Sequence, residues 1–360
     1  MKNALKNALH GFGLALAALL LTVVVLECAL RVARPAKYRA VSVNVWDPDV
    51  GTRQVPNARG FVRCPEYDID IVVNSSGLRD REFPYAKPTG TLRILTLGDS
   101  FVCGYGVTAE ETLAKVLERR LVSRGDEAAW EVLNGGVGST GTAHQLAYFL
   151  HDGWRYEPDL VVLGFFIGND FSDNLFSGLY TLDGGELTKH TAPRTGARKI
   201  QAVTRWIPGY NTFFAQSHLL NVIKRRVSRL HYQRLQSRTT RSEGAENLFP
   251  EMRTLTYELL WRLYGECEDR ASTLVVLVIP VFETAEAAPD PRVADLLLFL
   301  SEKGIPHLDL TPVFASPEGQ TSLVYPLDKH WNAEGHRSVA ELLYDFLEDE
   351  FLLGAAEESM

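Results

Sequence analysis

The chain has 360 residues, enough for one large domain or two ordinary ones, and its 46% apolar and 23% charged residues are ordinary for a globular protein. A formal net charge of −8 argues against nucleic acid as the main partner. The four cysteines, at positions 28, 64, 103 and 267, show no CxxC or Cys/His spacing, which argues against a zinc site.

The first predicted element is an apolar helix. Gly11 to Leu26 carries no charge, and the apolar character resumes at Cys28-Ala29-Leu30 after Glu27. That approaches the ~20 residues a membrane-spanning helix needs. Lys2 and Lys6 precede it, as in a signal peptide or signal anchor. No small-x-small cleavage site follows cleanly, and Glu27 before Cys28 spoils a lipoprotein reading. Residues 1–34 therefore read as a cytoplasmic stub and an uncleaved anchor. Charge leaves the orientation open, because Lys2, Lys6 and the amino terminus oppose Arg31, Arg34, Lys37 and Arg39.

Residues 35–91 are rich in Pro, Gly, Asp and Asn, with short β-type runs such as Ile69-Asp70-Ile71-Val72-Val73. They read as a juxtamembrane segment of short strands packed on the main domain. Asn74-Ser75-Ser76-Gly77-Leu78-Arg79 reads as a turn feeding a packed leucine. From Leu92 strands and helices alternate. Strands are predicted at 92–98, 130–137, 158–166, 272–280 and 305–310. Helices are predicted at about 108–123, with a capping box in Thr108-Ala109-Glu110-Glu111, and at about 142–153, 251–269, 290–303 and 333–350. Leu160-Val161-Val162-Leu163 and Leu274-Val275-Val276-Leu277-Val278-Ile279 suit strands buried on both faces. The alternation implies an α/β domain over 92–350, a parallel sheet sandwiched by helices, with a tail at 351–360.

A basic insertion at about 184–250 interrupts this rhythm. Leu187 to Ser242 holds twelve Lys/Arg and no Asp or Glu, leaving about −20 on the rest of the chain. Leu219 to Arg226 looks helical and amphipathic. The insertion is either a solvated cap or a face for anionic headgroups or an anionic polymer substrate.

Three polar elements follow predicted strands. Gly98-Asp99-Ser100-Phe101 places a serine at the carboxyl end of a buried strand, where open α/β sheets put their sites. Serine is a weak nucleophile without a base in hydrogen-bond reach. Asp328-Lys329-His330-Trp331-Asn332 offers one far downstream. Gly168-Asn169-Asp170 supplies an amide between them. These are the parts of an acyl-transfer site.

With Asn134-Gly135-Gly136-Val137-Gly138-Ser139-Thr140-Gly141, these runs form four blocks spread over residues 92–345. In them the chain resembles the SGNH hydrolase superfamily, the GDSL-type esterases and acyltransferases, in its membrane-anchored bacterial form. The resemblance implies a flavodoxin-like three-layer α/β/α sandwich with a Ser-His-Asp triad and an oxyanion hole drawn from three loops. It assigns Ser100 as nucleophile and as one backbone donor, His330 as base, Asp328 as the carboxylate that orients it, and the Asn169 amide as a further donor. Asp99 braces the loop. The family's second block reads Asn-x-x-x-x-Gly, whereas five residues after Asn134 this chain has Ser139. The backbone N–H of Ser139, or of Gly138 if the loop shifts by one, then serves as the remaining donor. The Asp-x-His-aromatic order of residues 328–331 is similar to a membrane-linked subgroup that includes enzymes acetylating or deacetylating cell-surface polysaccharides.

What the resemblance implies is a serine-dependent hydrolase of O-acyl, chiefly acetyl, esters. The substrate would be a small molecule or a glycan, no metal or organic cofactor would be needed, and the catalytic domain would be extracytoplasmic (periplasmic). Two alternatives stay open. One is an O-acyltransferase working with envelope or exopolysaccharide modification machinery; the other is a non-catalytic assembly module of this fold.

Other residues carry less. Cys103 is expected to pack under the Ser100 loop, and His144 and His336 to face solvent. Trp331 either lines an acyl pocket or packs. Cys64 and Cys267 form a disulfide or remain buried free thiols. Asp170, Asp173 and Asn174 lack the spacing of a cation-binding loop. Asn332 is expected to cap the last helix, whose apolar face includes Val339, Leu342, Leu343 and Phe346.

Overall fold

The apolar N-terminal run folds as a single helix, Lys2–Ala33. The computed structural model describes residues 2–33, 39–125, 129–192, 217–220, 222–223, 226, 245–282 and 290–352. Within the first helix, His10–Val32 is long and apolar enough to cross a membrane, and none of it is buried against the rest of the chain. Phe12, Leu14 and Leu21 are 70%, 73% and 65% exposed. These side chains form a contiguous exposed apolar surface along the helix. Near its carboxyl end, Glu27 accepts hydrogen bonds from the Ser217 hydroxyl and from the backbone N–H groups of His218 and Leu219.

Five short strands follow: β1 (Arg39–Val41), β2 (Asn44–Asp47), β3 (Gly51–Gln54), β4 (Arg59–Arg63) and β5 (Asp68–Val72). They form an antiparallel sheet of order β1-β4-β5 and a β2-β3 hairpin. β5 alternates exposed and buried residues along Asp68-Ile69-Asp70-Ile71-Val72, the period of a strand with one wet face. Its inner residues join Val43, Val62 and Tyr67 in a small core, against which Tyr105 and Tyr325 pack.

The central sheet holds β6 (Thr91–Leu97), β7 (Ala129–Asn134) and β8 (Leu160–Phe166). A hairpin, β9 (Tyr180–Asp183) and β10 (Glu186–Lys189), stands apart from it, and β11 (Thr273–Ile279) and β12 (His307–Asp309) complete it. All five strands are parallel, in the order β7-β6-β8-β11-β12. Helices Leu113–Val122 and Ala333–Leu347 bury their apolar stripes on one face. Helices Thr142–His151, Ala245–Glu268 and Pro291–Glu302 cover the other. The result is a three-layer α/β/α sandwich with the strand order of flavodoxin-like sheets. The chain leaves β6 first toward β7 and then returns to β8 on the opposite side. The crevice beyond the carboxyl ends of β6 and β8 is therefore a topological switch point.

Some expectations change. The capping box at Thr108 closes only a 3₁₀ turn, Ala109–Glu111; Thr112 is extended, and the helix starts afresh at Leu113. Cys64 and Cys267 are both free, so no disulfide joins them. His144 and His336 are 5% and 1% exposed and do not face solvent. Each takes a backbone donor on Nδ1: Gly141 N–H for His144 at 3.3 Å, Leu113 N–H for His336 at 3.1 Å. Helix Asp170–Ser177 and the β9-β10 hairpin are additions. Most of the basic insertion, residues 193–216 and 227–244, and the tail from 353 onward lie outside the described residues.

Candidate active site

Ser100 opens a four-residue helix, Ser100–Cys103, immediately beyond β6. Asp99 caps it, accepting the Phe101 N–H on Oδ1 at 2.9 Å. The turn needs glycine at position 98, because a Cβ there would lie 2.4 Å from Val102 Cγ2. The chain leaving the helix is fixed from the turn segment between β5 and β6. Arg79, 2% exposed, donates to the carbonyls of Cys103, Gly104 and Val107 at 2.8, 2.6 and 2.6 Å.

The glycine-rich loop after β7 lies on this turn. Gly135 N–H donates to Thr96 O at 2.8 Å and Val137 N–H to Gly98 O at 3.0 Å. A Cβ on Gly136 would come within 2.3 Å of the Cys103 nitrogen, so the two backbones touch. A Cβ on Gly138 would lie 3.8 Å from Ser100 Cβ. Asn44 Nδ2 donates to Gly138 O at 3.2 Å. In a trans peptide C=O and N–H point opposite ways, so this contact also fixes the direction of the Ser139 N–H. Ser139 itself is exposed and left-handed, with φ +64°.

Asn169 follows β8. Its Nδ2 donates to Asp99 Oδ2 at 3.1 Å, so the first and third loops meet at the residue preceding Ser100. Asp170 accepts the Phe166 N–H at 3.0 Å, and Asn174 accepts the Ala143 N–H at 2.8 Å and donates to Thr256 at 3.0 Å. Burial pushes the Asp99 carboxyl above the usual carboxylate range, although the Phe101 N–H and the Asn169 amide oppose it. Burial and then the Asp99 charge raise Asp170 well above that range and bring Asp173 to about 6. Among the described residues no group of three or more His, Cys, Asp and Glu side chains is arranged to hold a metal ion.

The fourth loop brings Asp328 and His330 over the serine. Lys329, with φ +69°, turns the chain between them, and its N–H donates to Tyr325 O at 2.9 Å. His330 Nε2 lies 2.8 Å from Ser100 Oγ. His330 Nδ1 is hydrogen-bonded to Asp328 Oδ1. Tyr67 Oη donates to Asp328 Oδ2 at 2.8 Å. Burial pushes the Asp328 carboxyl up, but the hydrogen bonds from His330 and Tyr67 outweigh it and hold the group below the usual range. The Phe101 and Tyr105 rings flank the imidazole at 4.9 and 5.0 Å between centroids. Trp331 is fully buried, stacked on Phe314 at 5.8 Å, and so packs and lines no acyl pocket. Cys103, 8% exposed, packs beneath the loop and accepts a hydrogen bond from Gln54 Nε2.

The four blocks thus converge on Ser100. Sequence reasoning missed the contributions of Asn44, Tyr67 and Arg79, which sit in a segment of turn-forming composition at no fixed distance from any block. For Arg79 a signal existed: it follows the packed Leu78, and a buried guanidinium needs several acceptors.

No family model matches the chain, and no curated protein matches it. Several solved structures are similar to it. A two-domain esterase active on acetylated mannans is 16% identical, the match covering 72% of this chain and 49% of that one, with a TM-score of 0.42. An acetyl xylan esterase is 11% identical over 71% of this chain and 98% of that one, with a TM-score of 0.41. A lipase/acylhydrolase from Enterococcus faecalis is 14% identical over 72% and 96%, with a TM-score of 0.40. The match spans about half the length of the first of these.

Proposed function

We propose that the chain is a membrane-anchored serine ester hydrolase of the SGNH type that cleaves O-acyl, chiefly O-acetyl, esters through an acyl-serine intermediate. The observation that supports it most directly is the unbroken relay from Ser100 Oγ through the two nitrogens of His330 to Asp328. Serine needs an adjacent base, and the base needs an orienting partner.

The steps follow from that relay. Ser100 Oγ attacks the ester carbonyl carbon while its proton passes to His330 Nε2. Asp328 accepts the Nδ1–H and offsets the imidazolium charge. The carbonyl π electrons move onto oxygen, where the backbone N–H of Ser100, that of Ser139 or Gly138, and the Asn169 amide meet the developing charge. The amide has two hydrogens; Asp99 takes one and orients the other. Collapse breaks the bond to the alcohol oxygen, which leaves with the proton from His330. Water then gives a proton to His330 and attacks the acyl-serine, and the acid departs as Ser100 recovers its hydrogen. The likeness of residues 328–331 to polysaccharide-acetyl enzymes favours acetylated carbohydrate as substrate. That substrate class and the apolar helix His10–Val32 suit a catalytic domain held at the outer face of the membrane.

Turnover of an aryl acetate and of an acetylated glycan by the purified chain tests the proposal. Ser100→Ala is expected to lose about 10³-fold or more in kcat with an unchanged melting temperature. Equal turnover by Ser100→Ala and the unaltered chain would contradict it.

A further inference from the structure

The β4-β5 hairpin reaches the site from outside the central sheet, and its tip carries Glu66 and Tyr67. Tyr67 donates to Asp328 Oδ2, the carboxylate oxygen that His330 leaves unused. Glu66 accepts the backbone N–H groups of Leu327 and Asp328, at 2.8 and 2.9 Å, one on each of its oxygens. The Tyr67 ring is 8% exposed and wedged between Tyr105, edge-on at 6.1 Å, and Tyr325, tilted at 4.9 Å. Its hydroxyl therefore has little freedom. The loop it meets contains the left-handed Lys329, a conformation that persists in a non-glycine residue only where its surroundings enforce it.

We infer that Tyr67 and Glu66 are positioning residues for the triad: Glu66 fixes the backbone at position 328, and Tyr67 fixes the plane of the Asp328 carboxylate so that Oδ1 faces His330. This rests on the roles proposed above for Ser100, His330 and Asp328. A carboxylate held by one oxygen turns easily about its terminal bond, which has a broad torsional well. Held by both oxygens, it keeps one orientation, and the imidazole it grips keeps Nε2 on Ser100. Burial, reinforced by the bond to Asp328, raises the titration of the Tyr67 hydroxyl, so it stays a donor across the working pH range. The strands between the apolar helix and the sheet are then part of the active site. A polypeptide starting at β6 would carry all four blocks and lack this clamp.

A double-mutant cycle in the full chain, solubilised in detergent, tests this. Tyr67→Phe is expected to lower kcat about 10-fold with KM unchanged and the fold retained, with a melting temperature lower by no more than roughly a few degrees, the size of one hydrogen bond to a charged group. In an Asp328→Ala background the same change is expected to alter kcat less than about twofold, because its acceptor is gone. An equal loss in both backgrounds would assign Tyr67 to packing and overturn the inference. So would a Tyr67→Phe chain with unaltered kcat, while the unsubstituted chain still reacts with a fluorophosphonate at Ser100. An unsubstituted chain that fails to react sinks the Ser100 reading and the clamp together. If Tyr67→Phe does not fold, Glu66→Gln, which sets an amide N–H against one of the two backbone donors, is expected to lower kcat in the unsubstituted chain and to lower it less in Asp328→Ala, where the carboxylate it positions is gone; an equal loss in both would overturn the inference.

Discussion

His330 commits both ring nitrogens, one to Ser100 and one to Asp328, and this makes each neighbour's contribution separable. Asp328→Asn keeps the shape but offers His330 an amide in place of a charge; kcat on an aryl acetate should fall about 10²–10⁴-fold. Asn169→Ala removes the amide proposed as one oxyanion donor and should cost about 10²–10³-fold in kcat with little change in KM. The buried acids behind the site predict a pH effect. Burial and then the Asp99 charge push the Asp173 carboxyl from its ordinary 3.8 up to about 6. Between those values the folded state binds more protons than the unfolded one, so the stability penalty is present at neutral pH and is relieved as pH falls toward 4. Asp173→Asn should therefore melt roughly a few degrees higher at pH 7.5, with the gain vanishing below about pH 4 in a thermal-melt series. His336 runs the other way. Burial holds its imidazole down to about 3, so it costs stability as pH drops below its ordinary value of 6.5. Its buried position was legible. His336, Val339, Ala340, Leu343 and Leu347 are all buried and share the spacing of one helical stripe. Reading histidine by polarity alone put it on the wrong face.

The parallel sheet was readable because β8 and β11 are near-continuous apolar runs buried on both faces, and the other strands alternate with helices around them. The helix after Thr108 began late because a capping box describes only local hydrogen bonds, and these were satisfied by one 3₁₀ turn before extended Thr112 broke it. The glycines of residues 134–141 mark a close approach between loops as well as a turn. Gly136→Ala would force the Cys103 backbone away, since no side chain there can swing aside. Lower kcat and a lower melting temperature together are expected; an unchanged melt would show that the loops do not touch. Asn332 caps the last helix through Gly335 N–H at 3.0 Å. Asn332→Ala should cost about 1 kcal/mol in urea unfolding.

Three parts meet in the whole molecule: an apolar helix, a small antiparallel β module and the α/β sandwich. The first and last were legible, each having its own periodicity or uniformity. The module's role was not, because its contacts run from Asn44, Tyr67 and Arg79 to loops tens or hundreds of residues away, and no spacing in one chain encodes such pairs. Removing residues 1–33 leaves every one of those contacts in place. Such a chain should move from the detergent phase to the aqueous phase on partitioning and keep its turnover of aryl acetate. The most direct measurement is the reaction of the full chain with a fluorophosphonate, followed by mass mapping of the adduct. One adduct on the peptide containing Ser100, formed rapidly in the unsubstituted chain and much more slowly in His330→Ala, is the predicted result. A folded chain left unmodified, or an adduct on a different residue, would contradict a site in which Ser100, His330 and Asp328 act as one unit.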